Sequence, residues 1–353
     1  MRLADPTDPA GTPARRGPRP QGSGPWAWLR VCVAGLALLA GLALPAVSSS
    51  PAWAAPSPHA YVADNGSNDV SVIDTATNTV VGAVPVGSGP AAVALTQNGR
   101  RAYVTNRDSN NVSVIDTATD TVVATIPVGS GPEGVALTQN GRRAYVTNRG
   151  SDDVSVIDTT SNTVVATIPV GSMPVGVAIT QNGRRVYVAD DGSDDVSVID
   201  ATTDTVVATI PVGSGPGGIA LTQNGRRAYV TDFDSSDVSV IDTATDTVVA
   251  TIPVGTHPFG VAITQNGRRV YVANDASDDV SVIDTATDTV VATIPVGARP
   301  LGVAITQNGR RAYVTNFSSN DVSVIDTTTN TVVGSPVPVG ANPAGIAITP
   351  GRG

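Results

Sequence analysis

Beyond residue 54 this chain has very little with which to move a proton: one Glu, Glu133, two His, His59 and His257, and neither Lys nor Cys. His59 stands close to residue 54, so Glu133 and His257 are the general acid/base candidates. They are far apart in sequence, and no third ligand accompanies them as a metal-assisted reaction would need. Residues able to grip a ligand are equally few. All three Phe of the chain, Phe233, Phe259 and Phe317, fall after residue 230, with His257, Arg299 and Leu301 among them. Aromatic side chains mixed with Arg are what recognition anchors are made of. These six form the candidate ligand-binding set, and no catalytic or metal-ligating set is assigned. The pairs Asp152-Asp153, Asp194-Asp195 and Asp278-Asp279 carry the hard oxygen ligands that Ca²⁺ takes. Their spacing matches neither an EF-hand nor a Ca²⁺-binding nonapeptide repeat, so they read as solvated loop carboxylates.

The elements that position these residues follow from repetition. The seven Tyr, from Tyr61 and Tyr103 through Tyr271 and Tyr313, recur every 42 residues. One unit, GVALTQNGRRAYVTNRGSDDVSVIDTTSNTVVATIPVG from Gly134 to Gly171, holds four short β-rich runs separated by turn residues. Strand A is expected over Val135 to Thr138, B over Ala144 to Thr147, C over Val154 to Asp158 and D over Thr163 to Val170. Asn140-Gly141 between A and B suits a type I′ hairpin. The Asp closing strand C recurs in all seven units and can accept backbone N–H bonds in the C–D turn. Small residues in A suit the crowded inner end of a sheet, whereas Pro169 and its equivalents place D at the outer edge. The first unit lacks a strand A, which appears instead as Gly345 to Thr349. The fold class expected is therefore all-β: a seven-bladed β-propeller with four antiparallel strands per blade, its ring closed by a C-terminal strand A joining N-terminal strands B to D.

Residues 1–54 read as a signal peptide: Arg15, Arg16, Arg19 and Arg30, an apolar run from Val31 to Leu44, and an A-x-A site at Ala52-Trp53-Ala54. That run is 14 residues long, short of the roughly 20 that a membrane span needs, so no stable span is expected after processing. Cys32 opens the run and follows no lipobox, and Arg15-Arg16 stands too far from it for a twin-arginine signal. Residues 55–353 then form the propeller, with 16 Arg against 28 acids and a formal charge of −12. Such an acidic balance speaks against nucleic acid as a partner.

The segments AYVTN (Ala102 to Asn106), VSVIDTAT (Val112 to Thr119) and TVVATIPVG (Thr121 to Gly129) resemble the YVTN β-propeller repeat of bacterial and archaeal surface or exported proteins. The resemblance spans the chain beyond the leader. It implies a surface-layer or adhesion module, and similar propellers include lyases and lactonases. Trp motifs of quinone-dependent dehydrogenases and the haem-attachment C-x-x-C-H are both missing.

In an antiparallel meander the A–B and C–D turns share one face of the disc and the B–C and D–A loops the other. The first set is nearly invariant. The second varies, with Asn65, Arg107, Arg149, Asp191, Phe233, Asp275 and Phe317 after strand B, and Met173, His257 and Arg299 beside the loop proline. On the turn face, Arg100-Arg101 and their equivalents are expected to meet Asp side chains of the C–D turns. The expectation is a secreted or cell-surface monomer, without cofactor, that binds an extracellular protein or cell-wall glycan through the variable face and catalyses nothing. The alternative is a metal-assisted lyase or lactonase-like enzyme using Glu133 and His257.

Overall fold

The computed structural model describes residues 58–350; the signal peptide assigned to residues 1–54 lies outside the described residues. Seven antiparallel sheets make up the described chain, each ordered A-B-C-D. Blade 3 is representative, with strands at Pro132–Leu137, Arg143–Asn148, Asp153–Asp158 and Thr163–Pro169. Blade 1 combines His59–Asp64, Asp69–Asp74 and Thr79–Pro85 with Pro343–Ile348 from the far end of the chain, which pairs with His59–Asp64 as its strand A. The expected closure is present.

Hydrophobic clusters lie between blades and not within them. Tyr187, Val196, Val198 and Ile210 of blade 4 pack on Ile219, Ala228, Val230 and Ile241 of blade 5, and the other clusters repeat the scheme. Both faces of strands B and C are therefore buried, which explains why those strands read as continuous apolar runs. The seven Tyr rings are fully buried, and six reach a C–D turn of the next blade. Tyr61 donates to Asp120 at 2.7 Å, Tyr271 to Asn330 at 2.8 Å, and Tyr313 to Asn78 at 2.6 Å across the closure. These acceptors all sit at positive φ, between 54° and 55° for Asn78 and Asn330 and at 50° for Asp120, a conformation that Asn and Asp tolerate.

Three details differ from expectation. Strand A begins at Pro132 and not at Val135, so Glu133 sits on the strand. Asn140-Gly141 does not form a type I′ turn, because only Gly141 has positive φ, at 66°. Gly141 N–H donates to Thr138 O at 2.7 Å, while Asn140 Oδ1 accepts from Arg142 N–H at 3.0 Å, so the Asn braces the turn with its side chain. Finally, Asp152, Asp194 and Asp278 are not free solvated carboxylates. Each accepts the N–H of the following D–A loop, Asp152 from Met173 at 2.7 Å and Asp194 and Asp278 from Gly215 and Arg299 at 2.8 Å.

On the turn face, three of the second-position Arg bridge to the next blade. Arg143, Arg185 and Arg227 meet Asp204, Asp246 and Asp288 at 2.8, 2.6 and 2.7 Å, while Arg269 stays with Asp284 of its own blade. The strands A crowd the axis. Gly134, Gly176, Gly218, Gly260 and Gly302 each face a carbonyl of the next strand A so closely that a Cβ would collide with it.

Candidate functional site

An opening lies where strands A begin. Their first residues, one set from every blade, ring a cavity of about 470 Å³ on the loop face, at the mouth of the central axis. Because the B–C and D–A loops also end there, the variable positions of distant repeats become neighbours.

The cavity has two unlike sides. On the side of blades 2 and 3, Glu133 extends from the second position of its strand and is only 13% exposed as a side chain. Its Oε1 accepts from Arg107 NH1 at 2.9 Å. Burial pushes its carboxyl upward, opposed by the positive charges of Arg107 and Arg149. Arg149 is itself paired with Asp191 at 2.8 Å, and its Nε–H is buried with no acceptor among the described residues.

Across the axis, blades 5 to 7 supply the apolar side. Phe233 and Phe259 meet edge to face with ring centroids 6.4 Å apart, and His257 stacks on Phe233 at 4.4 Å and 11°. Phe317 lies beneath the Arg299 guanidinium, 5.2 Å from its ring centre, and Arg299 Nε donates at 2.9 Å to Asp275, a carboxylate whose side chain is 8% exposed. Phe233, Phe259, Arg299, Leu301 and Phe317 line the cavity, and His257 supports it from behind Phe233. The six residues singled out in sequence thus share one site.

Glu133 and His257 are not brought together: Glu133 belongs to blade 3, whereas His257 precedes the first strand of blade 6 on the opposite side of the ring. No group of three His, Cys, Asp or Glu side chains able to hold a metal occurs among the described residues. Sequence reasoning missed Arg107, Arg149, Asp191 and Asp275 as site members. A signal existed: Arg149 and Asp191 occupy the same repeat position with opposite charge one period apart, and equivalent positions in consecutive units are neighbours around a ring.

Residues 62–185 match the family model for YNCE-like beta-propellers, and residues 177–333 match that for lactonase, 7-bladed beta-propeller. A search of curated proteins found no match. Among solved structures, hydrazine synthase from Kuenenia stuttgartiensis is 25% identical with a TM-score of 0.71, over 77% of this chain and 96% of that one. A protein of unknown function from Desulfotomaculum acetoxidans is 18% identical (TM-score 0.74; 84% and 100% covered), and a candidate 6-phosphogluconolactonase from Bacteroides fragilis is 17% identical (TM-score 0.72; 83% and 98%). The lactonase match corrects the expectation that the chain catalyses nothing. That expectation rested on the scarcity of acid/base groups along the chain, but a closed ring needs few, because it gathers one variable position from every blade at a single opening. The chain is a seven-bladed β-propeller, matched across four of its blades by a family of lactonases.

Proposed function

We propose that this chain is an exported propeller of the YVTN type that hydrolyses cyclic esters at the mouth of its central axis, with Glu133 as general base. The observation that carries the reading is Glu133 itself: a buried carboxyl, raised in pKa by desolvation, held by Arg107 beside a cavity walled on its far side by aromatic rings. The lactonase match over residues 177–333 supports the reaction class, and the leader and the AYVTN segments support the location and repeat type.

The chemistry follows from the pairing. Before reaction the Arg107 charge is neutralised by the Glu133 carboxylate. A water in the cavity gives its proton to Glu133 as its oxygen adds to the ester carbonyl carbon, so negative charge moves from the carboxylate to the carbonyl oxygen. Glu133 is then neutral, and Arg107 faces the new oxyanion. The ion pair therefore stabilises the transition state more than the ground state. The ring C–O bond breaks as the leaving oxygen recovers the proton from Glu133, which restores the carboxylate and opens the lactone to a hydroxy acid. A raised carboxyl pKa suits both halves of this transfer at neutral pH.

Unsubstituted δ-valerolactone and glucono-δ-lactone test the reading, with hydrolysis followed by proton release. Glu133→Gln should lower kcat by about 100-fold or more, the usual contribution of a positioned general base. Arg107→Met should lower kcat more than it raises KM. Wild-type rates no greater than those of Glu133→Gln would overturn the assignment.

A further inference from the structure

Resting on that reading, we infer that the cavity takes an uncharged cyclic ester carrying an apolar substituent, and not a phosphorylated sugar lactone. A phosphate dianion needs cations with charge to spare, and among the described residues of this site the charge of every Arg is already met by a carboxylate, the Arg149 Nε–H being the one donor without an acceptor. Arg107, Arg149 and Arg299 are the Arg of the loop face, and each already meets a carboxylate, at 2.9, 2.8 and 2.9 Å. The chain has no Lys to add to them.

The surrounding field has the same sign preference. Sorted by the strand ends on which they fall, seventeen acidic residues lie on the loop face against those three Arg, while twelve Arg lie on the turn face with eleven Asp. Even with the buried Asp64, Asp190 and Asp232 counted as protonated, the net negative charge of the propeller lies on the loop face, where the cavity opens. Field lines converging on a recessed opening would repel an anion before contact.

The far wall favours an apolar group. Phe233, Phe259, Leu301 and Phe317 face Glu133 across the cavity; His257 stacks on Phe233, and the Arg299 guanidinium, also in the cavity lining, lies over Phe317 and is paired with Asp275. An ester whose carbonyl is presented to Glu133 and Arg107 directs its substituent to that wall. The opening thus separates a reacting half from a recognising half.

The test compares δ-decalactone, unsubstituted δ-valerolactone and 6-phosphoglucono-δ-lactone as substrates. It also compares an alkyl-substituted δ-lactam and 6-phosphogluconate as non-reacting ligands, by calorimetry on both the wild type and Glu133→Gln. The alkyl lactone should exceed the unsubstituted one by at least about tenfold in kcat/KM, because roughly two buried methylenes suffice for that factor. Phe233→Ala and Phe317→Ala should reduce that preference. The lactam should bind and the phosphorylated acid should not, whereas Asp191→Asn, which releases Arg149, should give weak inhibition by inorganic phosphate. Tighter binding of the phosphorylated acid than of the lactam, or no binding of the lactam, overturns the inference. Lactam binding without turnover of any lactone instead overturns hydrolysis at Glu133 and leaves the ligand class standing.

Discussion

At the end of strand B, each blade buries one amide or carboxyl completely: Asn106, Asn148, Asn274 and Asn316 in four blades, Asp64, Asp190 and Asp232 in three. Asn148 donates its Nδ2–H to Asp153 at 2.6 Å and to Ser155 at 2.9 Å. The Asp residues occupy the same place beside Asp69, Asp195 and Asp237, with Ser71, Ser197 and Ser239 donating to them at 2.6 to 2.7 Å. A carboxyl can replace the amide beside another carboxylate only by keeping a proton. Desolvation, reinforced by that neighbouring acid, pushes Asp64, Asp190 and Asp232 to about 7. Their folded pKa lies above the unfolded value near 4, so the folded state binds more protons between the two. Their contribution is complete below about pH 4 and is lost as pH rises through about 7. Thermal melting should therefore fall between pH 5 and pH 8, and Asp64→Asn with Asp190→Asn and Asp232→Asn should flatten that slope and raise Tm at pH 8. A wild-type melting temperature flat across this range would refute the shared proton. None of this was legible in sequence, where Asp and Asn at the end of strand B look like interchangeable turn residues.

Strands gave up more of themselves in advance. The 42-residue period, the four runs and the outer place of the proline strand all follow from side-chain alternation and turn chemistry. What was hidden is how one blade is fastened to the next. Thr147, near the end of its strand B, donates to Val175 O of the neighbouring strand A at 2.7 Å and accepts from Gly134 N–H at 2.8 Å. Thr105, Thr231 and Thr315 do the same toward Glu133, Phe259 and Ala344. Blades 1, 4 and 6 have Ala63, Ala189 and Ala273 there instead. Thr147→Val should thus lower stability by about 1 to 3 kcal/mol, the cost of stranding buried partners. Ala189→Thr should add a fastening between blades 4 and 5 and raise Tm. Urea titrations of both variants check this, and an unchanged midpoint for Thr147→Val would remove the fastening role. The same bond from Thr105 holds the backbone of Glu133, so strand packing also sets the position of the proposed base.

For the whole molecule, the closure and the two-faced arrangement were both readable, because a missing first strand and a surplus last one can be counted. The pairing of charges across the cavity was not, since it depends on which loops the ring makes adjacent. Deleting Pro343 to Gly353 should remove the sheet partner of His59–Asp64 and the fourth strand of blade 1. Melting should become broad and fall by more than about 10 °C, as expected where several kcal/mol of contacts are lost from a domain of this size; a sharp, wild-type transition would show that the ring holds without its clasp. Blade 1 also sets a rule of timing. Its first three strands are synthesised before the other six blades, and the strand that seals them is synthesised after those blades. The nascent chain must therefore carry an unfinished sheet with an open hydrogen-bonding edge while the six intervening blades are made. Any helper protein that shields exposed strand edges would have its longest engagement with the first three strands of blade 1.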